Sequence, residues 1–194
     1  MYQALFNIPW MSFNVLLALI PVVLSYPLLK NPLSLKNVPI LLLWFLFLPN
    51  SIYLLSDLEH LMTQLPGENA LGVAALSTQY ALLVSLGILT YFLSLLPVEW
   101  FMRTKKLTLP QKTSIYTALS FVMAFAVVLG KVQRSHSWYV ITNPMRVISD
   151  VWNTLASIEL VLLTIVLGVL ISTVILPFMI VLHPFKKSSF LPIA

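Results

Sequence analysis

Two short stretches hold most of the residues that could do chemistry. The first runs Leu48-Pro49-Asn50-Ser51-Ile52-Tyr53 and continues to Ser56-Asp57-Leu58-Glu59-His60. Asp57 and His60 are three apart, a spacing that puts them on one face of a helix and makes them candidates for general acid–base work. The second stretch is Arg134-Ser135-His136-Ser137-Trp138. An arginine facing a carboxylate in a partly desolvated niche forms a short, charge-assisted pair. Asp57 and Arg134 are therefore expected to meet, as a structural clamp or as part of a ligand site. The candidate site residues are Asn50, Tyr53, Asp57, His60, Arg134, Ser137 and Trp138.

More specific chemistries find less support. Asp57, Glu59, His60 and His136 are the available metal ligands, but no His-x-x-x-His or His-Glu-x-x-His spacing joins them, so no metal site is expected. Ser56 or Ser137 with His60 or His136 would make a nucleophile and base, yet no Gly-x-Ser-x-Gly elbow is present. Cysteine is absent, which removes disulfides and thiolate chemistry together. No cofactor is expected.

The elements that must carry these residues follow from composition. Of 194 residues, 59% are hydrophobic and only 9% are Asp, Glu, Lys or Arg. A soluble domain carries about 25% charged residues, because its surface faces water. So few charges cannot coat a globule of this size, and the remaining surface must face lipid. The net charge of +5 comes from short loops. No basic, aromatic-interleaved domain exists to hold a nucleic acid.

A span needs about 20 mainly apolar residues. Residues 8–29, 37–56, 69–98, 113–130 and 160–182 qualify or nearly so, the fourth being the shortest. No Lys or Arg precedes the first run, and Tyr26-Pro27-Leu28 offers no small-residue cleavage site, so it reads as a retained span. The expected fold is an all-α integral membrane protein, one domain over residues 1–194, with no internal repeat. Within the second span, Pro49 lacks an N–H and crowds the carbonyl of Phe45, so a kink is expected there. Asn50 or Ser51 would then supply the missing partner. Gly72, Gly87 and Gly168 lie within spans, where small residues let helices approach. His183-Pro184 is expected to mark the end of the last helix.

Charge sets the expected orientation. With the N-terminus on one side, the opposite side receives Lys30, Lys36, Arg103, Lys105, Lys106, Lys112, Lys186 and Lys187, against Lys131, Arg134 and Arg146. The positive-inside rule then puts the N-terminus outside and the C-terminus in the cytoplasm of a plasma-membrane protein. Asp57 and Arg134 both fall on the outer side.

Between the fourth and fifth spans, Val147, Ile148, Val151, Trp152, Leu155 and Ile158 recur at helical spacing after Asn143-Pro144. Thr142 or Asn143 is placed to cap this helix, with Pro144 at its first position. An amphipathic helix at the outer interface is expected. Trp10, Trp138 and Trp152 near the outer boundary and Trp100 near the inner one fit aromatic belts.

The two polar stretches resemble the domain of unknown function 1361 family of bacterial membrane proteins. That family carries a Pro-Asn-x-Pro-Tyr-x-x-Thr-Asp-Leu-x-His-Leu type of segment and a later Arg-x-x-Ser-Trp-Asp segment. The matching residues are Pro49, Asn50, Tyr53, Asp57, Leu58, His60 and Leu61, then Arg134, Ser137 and Trp138. Ile52 stands in place of the family's second proline, and Tyr139 in place of its final acid. The resemblance implies a multi-pass protein of the bacterial inner membrane and no assigned activity.

Two functions remain open on these residues. One is a non-enzymatic accessory subunit, or a binder of a small or lipidic ligand in an outward polar cleft. The other is a membrane-embedded enzyme acting at the outer face on a lipid-linked substrate through Asp57 and His60. Membrane lipid is the expected partner, a membrane protein a second one.

Overall fold

The computed structural model describes residues 2–29 and 34–185, with side chains for 3–29 and 34–177. Lys30, Lys186, Lys187 and the side chain of His183, all used in the sequence reading, lie outside what is described. Among the described residues there is no strand, and five helical segments are long and apolar enough to cross a membrane. They are Gln3–Leu28, Leu35–Gln64, Ala70–Thr104, Leu109–Val132 and Ile158–Pro177. The chain divides into two compact units, Met1–Lys106 and Leu107–Ala194.

The first unit is built on α1 (Tyr2–Leu28), which packs along α2 (Val38–Phe47), α3 (Pro49–Ser56) and α5 (Ala70–Ser94). The buried positions of α1 are Asn7, Met11, Ala18, Pro21, Ser25 and Leu28, spaced mostly three or four apart. That is one stripe of a helix, with Leu5, Phe6, Phe13, Leu16 and Val23 left on the exposed side. An apolar side chain costs nothing against lipid, so the outer face is as hydrophobic as the inner one.

The second span is not one helix. Around Pro49 the hydrogen bonding slips: Leu48 N–H still donates to the Trp44 carbonyl at 2.9 Å, but Ser51 N–H turns to Leu48 O at 3.4 Å. The Phe47 carbonyl is left over, and Asn50 Nδ2 donates to it at 2.9 Å. The expected repair by Asn50 is present, on Phe47 rather than Phe45. Asn50 is itself buried. Asn50→Leu is therefore expected to destabilise by about 1–3 kcal/mol, the cost of orphaning a buried carbonyl. A higher melting temperature for Asn50→Leu in detergent would overturn this account.

A second break follows at Asp57-Leu58. Leu58, His60 and Leu61 N–H all donate three residues back, to Leu55, Asp57 and Leu58. The helix ends at Ser56 and restarts as α4 (Glu59–Gln64). The single face expected for Asp57 and His60 does not form, because the tightened turn intervenes: Asp57 is buried and His60 exposed.

Gly67, with φ +87°, makes the turn into α5, and the Asn69 side chain caps α5 by accepting from Gly72 N–H at 2.8 Å. The third span runs past its sequence-based end at residue 98. A further helix, α6 (Leu96–Thr104), takes up Glu99 and Arg103, whose side chains meet at 2.6 Å one turn apart. Pairing these two charges lets the helix continue where each alone would have ended the apolar run.

In the second unit α7 (Leu109–Val132) opens on a reciprocal cap, with Thr108 N–H donating to Gln111 Oε1 at 2.9 Å. It lies along α10 (Ile158–Phe185), burying Ser120, Met123, Ala124, Val127 and Val128 on its side and Gly168, Ser172 and Ile175 on the other. Helix α10 continues through His183-Pro184 to Phe185. Between them stand the short α8 (Tyr139–Thr142) and α9 (Pro144–Ala156). Helix α9 starts where the residues predicted: Asn143 Oδ1 accepts from Arg146 N–H at 3.3 Å, and Pro144 follows the cap.

Candidate functional site

Polar side chains from α1, α4 and α5 converge in the first unit. Asn7 of α1 is fully buried and uses all its hydrogen-bonding capacity. Its Nδ2 donates to Gln64 Oε1 at 2.7 Å and to Gln79 Oε1 at 3.3 Å. Its Oδ1 accepts from Gln64 Nε2 and from Trp10 Nε1, each at 3.2 Å. Asn7 and Gln64 thus form a reciprocal two-bond amide pair. Gln79 passes its own donor to the Ala4 carbonyl at 3.0 Å, and the Tyr80 hydroxyl donates to Gln64 Oε1 at 3.2 Å. Among the described residues, none of these polar atoms is buried without a partner.

Asp57 lies beside the network, 5% exposed, and accepts from Asn14 Nδ2 at 2.9 Å. The backbone N–H of Asp57 is held by the Tyr53 carbonyl at 2.9 Å, so α3 fixes where the carboxylate sits. The exposed His60 turns elsewhere. Its Nε2 is 3.8 Å from Glu59 Oε1, and its ring meets Trp10 edge-on at 5.8 Å. Trp10, Asn14, Gln64 and Gln79 are half-buried. The margin of the cluster is thus reachable, while Asn7, Tyr80 and Asp57 form its floor.

Hydrogen bonding dominates the chemistry of this cluster. Four of its members, Asn7, Asn14, Gln64 and Gln79, are carboxamides and Trp10 adds an indole, groups that donate or accept hydrogen bonds without titrating. Among the described residues no three His, Asp or Glu side chains gather as metal ligands.

Of the sequence-derived candidates, Asp57 belongs to this cluster, His60 borders it and Tyr53 lies half-buried one turn before Asp57. Asn50 is spent on the Pro49 break. Asn7, Asn14, Gln64, Gln79 and Tyr80 were missed. A signal existed for two of them: Asn7, Trp10 and Asn14 are three and seven residues apart, one helix face, inside an otherwise apolar run.

Arg134, Ser137 and Trp138 belong to the second unit. Ser135 N–H donates to Leu129 O at 3.2 Å, six residues back, and Gln133 N–H to the same carbonyl at 3.1 Å. That closes α7 with Arg134 at the left-handed position, φ 53°, where glycine is the usual occupant. A side chain there costs about 1–2 kcal/mol of backbone strain. Arg134 is exposed, as is Trp138, which stacks on His136 at 4.5 Å. The Arg146 guanidinium carbon lies over the Tyr139 ring, 4.6 Å from its centre.

A family model described as "Protein of unknown function (DUF1361)" matches residues 13–174. No curated protein and no solved structure matches the chain.

Proposed function

Since the chain belongs to the DUF1361 family, whose description assigns no activity, we propose a function from the geometry of this multi-pass membrane protein. It is a binder of a small or lipid-borne polar ligand, taken at the margin formed by Trp10, Asn14, Gln64 and His60. The observation that carries this reading is Asp57, a carboxylate buried within a candidate span and held by Asn14 beside a carboxamide network. An ionisable group at such a place is costly, and function is the usual reason for keeping it. Acid–base catalysis through Asp57 and His60 is the weaker reading, because His60 faces Glu59 and Trp10 instead.

The test is native mass spectrometry of protein purified gently in detergent. Wild type is expected to retain a defined small molecule or lipid that Asp57→Asn loses. That substitution keeps an oxygen for Asn14, so its melting temperature should stay near wild type. Equal retention by both proteins, or none by either, would overturn the reading.

We further propose that the Asp57 side is outside, from the basic residues near Lys105 and their scarcity near Glu68. Single cysteines can be introduced freely, since the chain has none. An impermeant thiol reagent applied to intact cells should label position 68 and spare position 105. The reverse pattern would invert the topology.

A further inference from the structure

The second unit carries a surface with a different chemistry, and it bears independently on what this protein touches. Helix α9 divides its circumference three ways. Thr154 is fully buried, and Val147, Asp150 and Val151 turn partly inward, where the helix meets α7, α8 and α10. Arg146, Ser149 and Asn153 form an exposed polar arc. Met145, Ile148, Trp152 and Leu155 form an exposed apolar arc, each 57–73% accessible. A helix on a water-facing surface would not leave that arc bare.

Its place along the chain says what covers it. One extended residue, Ser157, separates α9 from α10, whose apolar span begins at Ile158. One residue reaches only about 3.5 Å, so the end of α9 cannot leave the membrane boundary. Trp138 and Tyr139, rings that favour the head-group level, lie on its approach.

Arg146 supplies the polar half of a lipid contact. Its guanidinium carbon lies over the Tyr139 ring, 4.6 Å from the ring centre, and its Nε forms an ion pair with Asp150 Oδ2 at 3.7 Å, too long for a hydrogen bond. Its terminal nitrogens have no hydrogen-bond partner among the described residues. A guanidinium seated over a ring still offers the outer nitrogens of its planar fork, which suit a phosphate. It does so in the first turn of α9, where the helix dipole also favours an anion.

We propose that α9 and Tyr139 form a binding surface for a bilayer phospholipid. Its phosphate lies on Arg146 and its acyl chains lie along Met145, Ile148, Trp152 and Leu155.

The test uses the full-length protein in nanodiscs of phosphatidylcholine and phosphatidylglycerol. An environment-sensitive fluorophore on Trp152→Cys should be quenched by spin-labelled phospholipid, and one on Asn153→Cys by aqueous iodide. In detergent, native mass spectrometry should show Arg146→Gln weakening phosphatidylglycerol binding about tenfold, the factor expected from losing a charge-assisted hydrogen bond. Ser149→Ala should bind as wild type. Iodide quenching at 152 equal to that at 153 overturns the proposal, and so does shielding of 152 from both quenchers, which would mean a protein partner. Unchanged lipid binding by Arg146→Gln removes the phosphate contact. The labelling arm leaves Arg146 in place, so it decides the surface even if Arg146→Gln fails to fold.

Discussion

Asn7→Leu is expected to destabilise the protein by about 2–4 kcal/mol, more than any other single polar substitution in the first unit. Asn7 makes four hydrogen bonds, to Trp10, Gln64 (twice) and Gln79, and leucine can replace none of them. Interhelical hydrogen bonds measured in membranes average about 0.6 kcal/mol, which for the three that leave α1 gives about 2 kcal/mol as the lower bound. Each buried group left without a partner costs about 1–3 kcal/mol in a dry interior, which raises the upper one. Gln79→Leu should cost less, because Gln79 makes one bond to Asn7 and one to a carbonyl. Unfolding of the detergent-solubilised variants, followed by tryptophan fluorescence, gives the ordering. A loss under about 0.5 kcal/mol for Asn7→Leu would mean that water or lipid head groups replace the network without penalty.

The other large effect is expected at Gly87. A Cβ built there would lie 2.6 Å from Leu55 Cδ1, 2.9 Å from Leu54 Cβ and 2.9 Å from the Ser51 carbonyl oxygen. The Leu55 methyl can rotate away, but the Ser51 carbonyl is backbone. Any larger residue must push α3 off α5. Overpacking typically costs about 1–3 kcal/mol, and Gly87→Val should reach the top of that range or pass it. Asp57 sits at the end of the same α3, so the Asn14 contact should be disturbed as well, with loss of whatever the Asp57 site retains. Gly168 offers the contrast. The three atoms nearest to a Cβ there all belong to the Phe121 ring, the first 2.6 Å away at Cδ1, and a side chain can give. Gly168→Ala should therefore be milder than Gly87→Ala in the same melting assay. The reverse order would show that helix α3 is free to slide.

Five spans were legible in the residues because lipid demands long apolar runs whatever those runs pack against. Helix α9 was legible for a similar reason. Its cap, Asn143-Pro144, and its spacing of Val147, Val151 and Trp152 act locally, and the helix begins where they say. The repair of the Pro49 break by Asn50 is local too, and the structure moved it by only two residues, from the Phe45 carbonyl to that of Phe47.

What the residues could not reveal depends on partners far apart in the chain. Asn7 looks like an isolated polar residue in an apolar helix until Gln64 and Gln79 arrive, 57 and 72 positions later. Glu99 ended the third span on paper, because a lone carboxylate is costly in lipid. In the fold its pairing with Arg103 extends the helix to Thr104. Asp57 and His60 had the spacing of one helix face, but a turn of three-residue hydrogen bonds at Asp57-Leu58 separates a buried carboxylate from an exposed imidazole. In a bilayer, hydrophobicity places a helix but does not say which helices touch. That choice falls to the few polar and small side chains, and only their tertiary neighbours decide it.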